Sequence, residues 1–224
     1  MKQKKEKNKN KYPAVSIKYF FYDFVKITGV LPTLLYLRPK FYRVGEKEKV
    51  KGAILMSNHV DFLDPVILLL CAGWRRIWSL CTKDLFKTKL RSAFFRGCNC
   101  IPVDRENVTI DMYHQVADVL SSGKLLGMFP EGKINVDNEE EMKKFKGGIA
   151  LFAIMNKVPV IPVYVVKRKK WYQRQRIVIG APIHLEKICG RTPTLRDVET
   201  VSEYLQSKEE ELAIYYREKC KKKK

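Results

Sequence analysis

Residues 53–65 have the sequence AILMSNHVDFLDP, in which an apolar run is followed by a polar stretch and a helix start. Its apolar start, residues 53–56, predicts a buried strand. Its end joins Asp64 to Pro65, the residue types preferred at the N-cap and the first position of a helix. Residues 57–63 are therefore predicted to form a loop between a strand and a helix.

The same alternation of strands and helices continues along the chain. Short β-prone apolar runs predict strands at residues 53–56, 77–81, 125–129, 160–165 and 176–179. Amphipathic segments predict helices at residues 65–71, 109–120 and 147–156, and a closing helix after a Thr194 cap. This pattern predicts an α/β fold with a largely parallel sheet flanked by helices.

The charge of the chain favours a phosphate-rich partner. Its 44 Lys and Arg outnumber 24 Asp and Glu, which gives a net charge of +20 over 224 residues. Residues 1–11 and 217–224 are strongly basic, and such blocks at chain ends are usually solvated. The sequence has no RNA-recognition signature, zinc-finger spacing or helix-turn-helix, so we expect an anionic membrane surface as partner and no nucleic acid.

The cysteines and histidines indicate neither a disulfide framework nor a metal site. Six cysteines without an ordered spacing are typical of a reduced, cytosolic chain. The three histidines are scattered, and Cys98 and Cys100 have too little between them for a zinc-binding pair. We expect no metal.

Residues 12–37 form an unusually apolar segment. On a helix, Lys18, Tyr22, Asp23 and Lys26 fall within a sector of about 140°, so the rest of the circumference is apolar. The apolar face could pack on the protein core, or it could lie in a lipid interface with the lysines reaching the headgroups. The residues expected to dock in the second case are Phe20, Phe21, Phe24, Leu31, Leu34 and Leu35.

Gly29 and Pro32 predict a break in this segment, and therefore a pair of short interfacial helices. No apolar run approaches the roughly 18–20 residues needed to span a bilayer, and the basic start lacks the features of a signal peptide. We expect the segment to lie in a membrane surface without crossing it.

His59 and a nearby carboxylate are the candidate catalytic residues. An imidazole oriented by a carboxylate can act as a general base. A capping role would account for Asp64 but not for Asn58 and His59 just before it. Five positions along an unbroken helix would place His59 and Asp64 about 140° apart, so they meet only if the loop folds back. Asp61 is the alternative carboxylate.

Four blocks, in order, resemble the lysophosphatidic acid acyltransferase family (1-acyl-sn-glycerol-3-phosphate acyltransferases). They are NHVDFLD at 58–64, GCNCIPVDR at 97–105, FPEG at 129–132 and VPVIPV at 158–163. The first has the His-x4-Asp signature of these glycerolipid acyltransferases. The resemblance implies the glycerolipid acyltransferase fold and a catalytic pair of His59 and Asp64.

The resemblance also implies roles for the other blocks. Arg105 would bind the phosphate of the acceptor, Glu131 would contact the acceptor, and Gly132 would permit a tight turn beside it. The last block, with Val160, Ile161 and Pro162, would bind the acyl donor.

The chain departs from the family pattern after the third block. The family continues with Thr or Ser and then Arg, whereas this sequence has Lys133, Ile134 and Asn135. Lys133 or Lys146 is predicted to replace the missing cation. FKGG at 145–148 does resemble a later segment of the family.

The resulting prediction is a peripheral enzyme at the cytoplasmic face of the cell membrane. Residues 1–40 would form a basic tail with docking helices, and residues 41–224 the acyltransferase domain. The enzyme would transfer an acyl group directly from acyl-CoA or acyl carrier protein, without a cofactor, to 1-acylglycerol 3-phosphate (lysophosphatidic acid), giving phosphatidic acid. Alternative acceptors are glycerol 3-phosphate and other lysophospholipids. A second alternative is a non-catalytic, basic membrane-binding protein.

Overall fold

The computed structural model describes residues 17–104, 109–135, 142–185 and 194–220. In chain order the elements are α1 (Ile17–Leu37), β1 (Lys40–Arg43), β2 (Ala53–Ser57), α2 (Asp64–Cys71), β3 (Ile77–Thr82), α3 (Lys89–Gly97), β4 (Cys100–Val103), α4 (Ile110–Ser121), β5 (Leu125–Met128), α5 (Gly148–Asn156), β6 (Val160–Val165), β7 (Arg176–Ile179) and α6 (Leu195–Tyr215). A 3-10 turn, Lys83–Phe86, follows β3, and a π turn, Tyr216–Cys220, ends the described chain.

The seven strands form one sheet in the order β1-β7-β6-β2-β5-β3-β4. Neighbouring strands are parallel except β6 and β7, which are antiparallel. The predicted, largely parallel sheet with flanking helices is confirmed. Strand β2 is buried along its whole length because both faces of the sheet are covered. Ile54 and Met56 join the core on one face, and Ala53 and Leu55 join the core on the other.

The five predicted strands are all present, to within one residue at each end, whereas β1, β4 and α3 were not predicted. Strands β1 and β4 are short and lie at the two edges of the sheet, and β4 carries a proline, which a strand tolerates best at an edge. Helix α3 is short, nine residues, and none of its residues is buried. The Thr194 cap is confirmed as a capping box with Asp197.

Helix α1 is one continuous helix, so the predicted pair of short helices is wrong. Pro32 lies inside it and removes one backbone donor. The hydroxyl of Thr33 donates to the carbonyl of Gly29 over 2.7 Å, and the helix runs on to Leu37. Its segment Tyr19–Leu37 is, by length and composition, long and apolar enough to cross a membrane, which corrects the expectation that no segment approaches that length.

Two charged side chains of α1, Asp23 and Lys26, are bonded to the body of the protein. Asp23 forms an ion pair of 2.7 Å with Arg76, and the Lys26 ammonium donates to the carbonyls of Gly73 (2.6 Å) and Arg75 (2.9 Å). Lys26 therefore holds the helix to the body, which corrects the expectation that it reaches lipid headgroups. Tyr22 and Leu37 are also buried, so α1 lies along the body and shares its core. The predicted domain boundary near residue 40 stays a prediction.

The opposite face of α1 is apolar and exposed. Its side chains recur at helical spacing, and Leu35 is 79% exposed. The members of this outer stripe are Phe20, Phe24, Ile27, Leu31, Leu34 and Leu35. Phe21 differs from them, because its ring packs edge-on against Phe94 with centroids 6.0 Å apart. Helix α1 thus has its apolar stripe on the outside, whereas an ordinary surface helix turns its apolar face to the core.

Candidate active site

The candidate site lies where three parallel strands end side by side. Strand β2 runs between β6 and β5, so the loops that follow these three strands leave from the same edge of the sheet. Those loops contain residues 58–63, 129–135 and 166–175. Ligands of open α/β sheets bind at this carboxyl edge.

The loop after β2 folds back and joins His59 to Asp64. The Nδ1 atom of His59 is 2.8 Å from Oδ2 of Asp64. The same oxygen accepts hydrogen bonds from the backbone N–H groups of Val60 (2.6 Å) and Asp61 (2.7 Å). Asp64 is the first residue of α2 and not its N-cap, which is Leu63. Its carboxylate therefore organises the loop and does not cap α2, so the alternative explanation of Asp64 as a helix cap does not apply.

This pairing fixes the protonation pattern of the imidazole. A carboxylate only accepts hydrogen bonds, so Nδ1 of His59 carries the proton and Nε2 keeps a lone pair. The ring also stacks on Phe129, with centroids 4.3 Å apart. Burial raises the pKa of Asp64, while the hydrogen bonds from His59, Asp61 and Val60 act to lower it. The three hydrogen bonds to Oδ2 favour the ionised form of the Asp64 carboxyl group.

Asp61 does not face the imidazole. Its Oδ1 accepts from the backbone N–H of Leu63 (3.0 Å), and its Oδ2 lies 3.8 Å from the Arg168 guanidinium. Of the two carboxylates, the geometry therefore places Asp64 and not Asp61 against His59.

Glu131 is buried under the same loop. Its Oε1 accepts from the backbone N–H of His59 over 3.2 Å, and its Oε2 has no hydrogen-bond partner among the described residues. Burial raises the pKa of Glu131, against the lowering effect of the backbone N–H groups of His59 and Lys143. Glu131 thus supports residues 58–63, called the catalytic loop after the role predicted for His59, and its contact with an acceptor stays a prediction.

Gly132 makes the turn that the sequence predicted. Its φ is +72°, a conformation that favours glycine. A Cβ atom there would lie 3.3 Å from Cε of Lys146, so the Lys146 side chain runs beside the turn. Lys133 is exposed on the turn itself. Both lysines are near the carboxyl edge, and their replacement of the missing arginine stays a prediction.

The remaining predicted residues are placed less directly. Arg105 lies outside the described residues; β4, which precedes it, ends at the same edge of the sheet. Val160, Ile161 and Pro162 are in β6, where Val160 is fully buried and Pro162 is buried. A donor contact by these three residues stays a prediction that rests on the resemblance.

Two residues that support the loop were missed as site residues. The side-chain amide of Asn58 bonds to both backbone groups of Val165, donating over 2.9 Å and accepting over 2.8 Å. It thereby continues the pairing of β2 with β6 beyond the end of the strand. The backbone N–H of Asn58 donates over 2.5 Å to Oε1 of Glu209, a fully buried residue of α6. Glu209 and Glu131 therefore hold two consecutive N–H groups of the loop.

A signal for Glu209 was available in the sequence. It follows Leu205 by four positions and precedes Leu212 by three, so it lies in the buried stripe of α6, where an apolar residue is expected. Burial raises the pKa of Glu209 well above its usual value, and the nearby Glu131 raises it further. A charged residue type in an apolar stripe indicates a specific polar partner.

We expect Glu209→Gln to change the pH dependence of stability. Because the pKa of Glu209 is raised by folding, the unfolded chain loses this proton at a lower pH than the folded protein does. Stability therefore falls as the pH rises above the ordinary glutamate pKa of 4.5, until the raised pKa is passed. The glutamine of the variant cannot titrate, so the stability of the variant relative to wild type should increase by about 1.4 kcal/mol per pH unit in that window.

Urea unfolding across this pH range measures the effect. Glu210→Gln is the matched control, because Glu210 is the adjacent glutamate and is exposed. A stability difference between Glu209→Gln and wild type that stays constant with pH would contradict a protonated, buried Glu209.

The chain is similar in sequence to known proteins. A sequence model of the acyltransferase family matches residues 40–166. The 1-acyl-sn-glycerol-3-phosphate acyltransferase of Streptococcus pneumoniae is 29% identical over 160 residues, which cover 69% of this chain and 58% of that protein. Tafazzin of Drosophila melanogaster is 31% identical over 127 residues, which cover 53% of this chain and 33% of that protein. The chain thus spans less than two thirds of either curated relative.

A solved structure supports the fold. The crystal structure of the 1-acyl-sn-glycerophosphate (LPA) acyltransferase PlsC from Thermotoga maritima matches with a TM-score of 0.58. The match covers 88% of this chain and 81% of that chain at 16% sequence identity. At this identity the similarity concerns the architecture.

Proposed function

This chain belongs to the acyltransferase family, and we propose that it transfers a fatty acyl group from an acyl thioester to the free hydroxyl of 1-acylglycerol 3-phosphate, forming phosphatidic acid. The observation that carries the proposal is the contact of 2.8 Å between His59 and Asp64, which leaves Nε2 of His59 as a base. The relative from Streptococcus pneumoniae, whose name gives the same acceptor, supports the choice of substrate.

The proposed chemistry needs no covalent enzyme intermediate. Nε2 of His59 takes the proton from the acceptor hydroxyl as its oxygen attacks the thioester carbonyl. Asp64 stabilises the imidazolium that forms. When the tetrahedral intermediate collapses, the C–S bond breaks, and the imidazolium returns its proton to the leaving thiolate. The products are the new ester and the free thiol of CoA or acyl carrier protein.

Basic residues at the carboxyl edge would bind the phosphate of the acceptor. Arg105 is the proposed main ligand, with Lys146 beside the Gly132 turn in place of the missing arginine. The departure from the family pattern at Lys133 to Asn135 favours a second candidate, in which the acceptor is glycerol 3-phosphate or another lysophospholipid.

The reaction can be tested with the purified protein. Labelled acyl-CoA or acyl carrier protein would be incubated with 1-acylglycerol 3-phosphate, glycerol 3-phosphate or 1-acylglycerophosphocholine. We expect label to enter phosphatidic acid with the first acceptor. Preferred transfer to another acceptor would select the second candidate. No transfer to any acceptor would favour the non-catalytic membrane-binding alternative.

We expect Arg105→Ala to raise the KM for the phosphorylated acceptor by about 10- to 100-fold, because a hydrogen bond to a charged group contributes about 1.5–3 kcal/mol. The KM for the donor should hardly change, since the donor does not use this contact. Initial rates at varied acceptor and donor concentrations measure both constants. Arg196→Ala, at an exposed arginine in the first turn of α6, serves as the control. An unchanged acceptor KM in Arg105→Ala would exclude Arg105 as the phosphate ligand.

We further propose that the outer stripe of α1 docks the enzyme on the cytoplasmic face of the cell membrane. Exposure of this apolar stripe to water is unfavourable. Its burial in a lipid interface lowers the free energy. The basic charge of the chain adds attraction to anionic lipids.

Serine substitutions in the outer stripe test this docking. The triple variant Phe24→Ser, Leu31→Ser, Leu35→Ser should lower binding to anionic vesicles by roughly 100-fold, because each partly buried side chain contributes on the order of 1 kcal/mol. Binding of the wild type should weaken with salt but persist. Vesicle co-sedimentation measures both effects. These variants are preferable to a deletion of α1, which would also remove the buried Tyr22 and Leu37.

The matched control is Met155→Ser with Ile214→Ser, since both side chains are exposed and apolar but belong to α5 and α6. Equal vesicle binding by the outer-stripe variant and the control would exclude the docking role of α1.

A further inference from the structure

The loop between β6 and β7 exposes two aromatic side chains among basic residues. Its segment 168–174 has the sequence RKKWYQR, hereafter the basic aromatic loop. Trp171 is 73% exposed and Tyr172 is 51% exposed. The segment holds four basic residues and no acidic one. Indole and phenol rings next to Lys and Arg are typical of protein surfaces at the boundary between lipid headgroups and acyl chains.

Hydrogen bonds within the loop hold this conformation. Arg168 Nη1 donates to the carbonyl of Trp171 over 3.1 Å. The backbone N–H of Gln173 donates to the carbonyl of Lys170 over 3.1 Å, and its side-chain oxygen accepts from the backbone of Lys169 over 3.1 Å. These hydrogen bonds within the loop therefore hold Trp171 in its exposed position.

The loop is bonded to the end of α1. Arg38 Nη2 donates to the carbonyl of Tyr172 over 2.5 Å, and Arg174 Nε donates to the carbonyl of Arg38 over 3.0 Å. The backbone N–H of Gln175 donates to the carbonyl of Leu37 over 2.8 Å. These bonds place the basic aromatic loop next to the last turn of α1, where the outer stripe ends at Leu35.

Arg168 joins this assembly to the catalytic loop. Its side chain is only 9% exposed, and its guanidinium lies 4.9 Å from the ring centroid of Tyr36 in α1. The same guanidinium is 3.8 Å from Asp61, two residues after His59. Phe62, the next residue, is 84% exposed. The end of α1, the basic aromatic loop and the catalytic loop therefore meet around the Arg168 side chain.

We propose that the basic aromatic loop is a second lipid-contacting element, in which Trp171 and Tyr172 enter the headgroup region of an anionic bilayer while Lys169, Lys170 and Arg174 contact lipid phosphates. This inference rests on the proposed docking of α1, because continuity with its outer stripe is what favours a bilayer over a protein partner. Membrane contact by both the outer stripe of α1 and the basic aromatic loop would fix the orientation of the enzyme. The catalytic loop, which lies beside both, would then face the membrane that holds a lipid acceptor.

Tryptophan fluorescence of the full chain tests this contact. The protein has three tryptophans, and Trp78 is buried in the core. Trp74→Phe keeps Trp171 and Trp78, whereas Trp74→Phe with Trp171→Phe keeps Trp78 alone. Phosphatidylglycerol vesicles with brominated acyl chains should quench and blue-shift the emission of the first variant and leave that of the second nearly unchanged. Brominated phosphatidylcholine vesicles should have a smaller effect, because they lack the anionic charge.

A binding measurement separates this inference from the docking of α1. Trp171→Ala with Tyr172→Ala should lower binding to the phosphatidylglycerol vesicles by about tenfold or more, whereas Met155→Ala should not. Vesicle binding that depends on the α1 outer stripe but involves no quenching of Trp171 would overturn the inference and leave the docking intact. Vesicle binding by neither element would overturn both. A Trp171 signal that responds to acyl carrier protein and not to vesicles would assign the loop to a protein partner and overturn the inference.

Discussion

Replacement of His59 by alanine should lower kcat for acyl transfer by about 10²- to 10⁴-fold, the usual contribution of a positioned general base. The Nε2 atom carries the lone pair that the Asp64 contact prepares for the acceptor hydroxyl. Without it, the hydroxyl must lose its proton to water. The KM for the donor should change little, because His59 acts on the acceptor. Single-turnover rates with labelled acyl-CoA measure the loss.

His114→Ala is the matched control for this variant, since His114 is an exposed histidine of α4. Both variants should melt near the wild-type temperature and bind anionic vesicles as the wild type does. Near-normal turnover of His59→Ala would exclude His59 as the base, and the proposed mechanism with it.

The central strands and the largely parallel sheet could be predicted, because both follow from the local pattern of apolar and polar residues. Apolar runs of four to six residues identified the central strands, whose side chains are buried on both faces. The edge strands were not predicted, because a strand at the edge of a sheet needs few apolar residues. The sequence KFYR of β1 is an example. Once the strands are parallel, their order alone brings His59, Glu131 and Arg168 to one edge.

The orientation of α1 could not be predicted from its sequence. Periodicity shows that one face is polar and the other apolar, but the same pattern suits a helix with either face turned to the body. Only the contacts of Asp23 with Arg76 and of Lys26 with two carbonyls reveal that the polar face is the inner one. This inversion makes the exposed stripe a candidate for lipid.

The partners of the residues that support the catalytic loop could not be predicted for another reason. Glu209 is 151 positions from Asn58, and Arg168 is more than a hundred positions from Asp61. No local pattern connects residues so far apart. The sequence motif pointed to the pair of His59 and Asp64, which the structure brings into contact. The groups that hold the loop in place come from other parts of the chain, such as the closing helix.

Asp64→Asn should lower kcat to a similar extent as loss of the base, by about 10²- to 10⁴-fold. An asparagine can present its oxygen to the three donors that converge on Oδ2, so the loop can keep its shape. It cannot supply the negative charge that stabilises the imidazolium formed when His59 takes the acceptor proton. The stability of the variant should fall only moderately, while its turnover should nearly vanish.

Asp61→Asn provides the comparison within the same loop. Asp61 is partly exposed and lies 3.8 Å from Arg168, a contact that contributes at most about 1 kcal/mol. Its replacement should therefore lower kcat by less than about tenfold. Turnover and thermal melting measured on both variants with the same acceptor decide the assignment. If Asp61→Asn were the more damaging change, the carboxylate that orients His59 during catalysis would be Asp61, and the loop would have to rearrange when substrate binds.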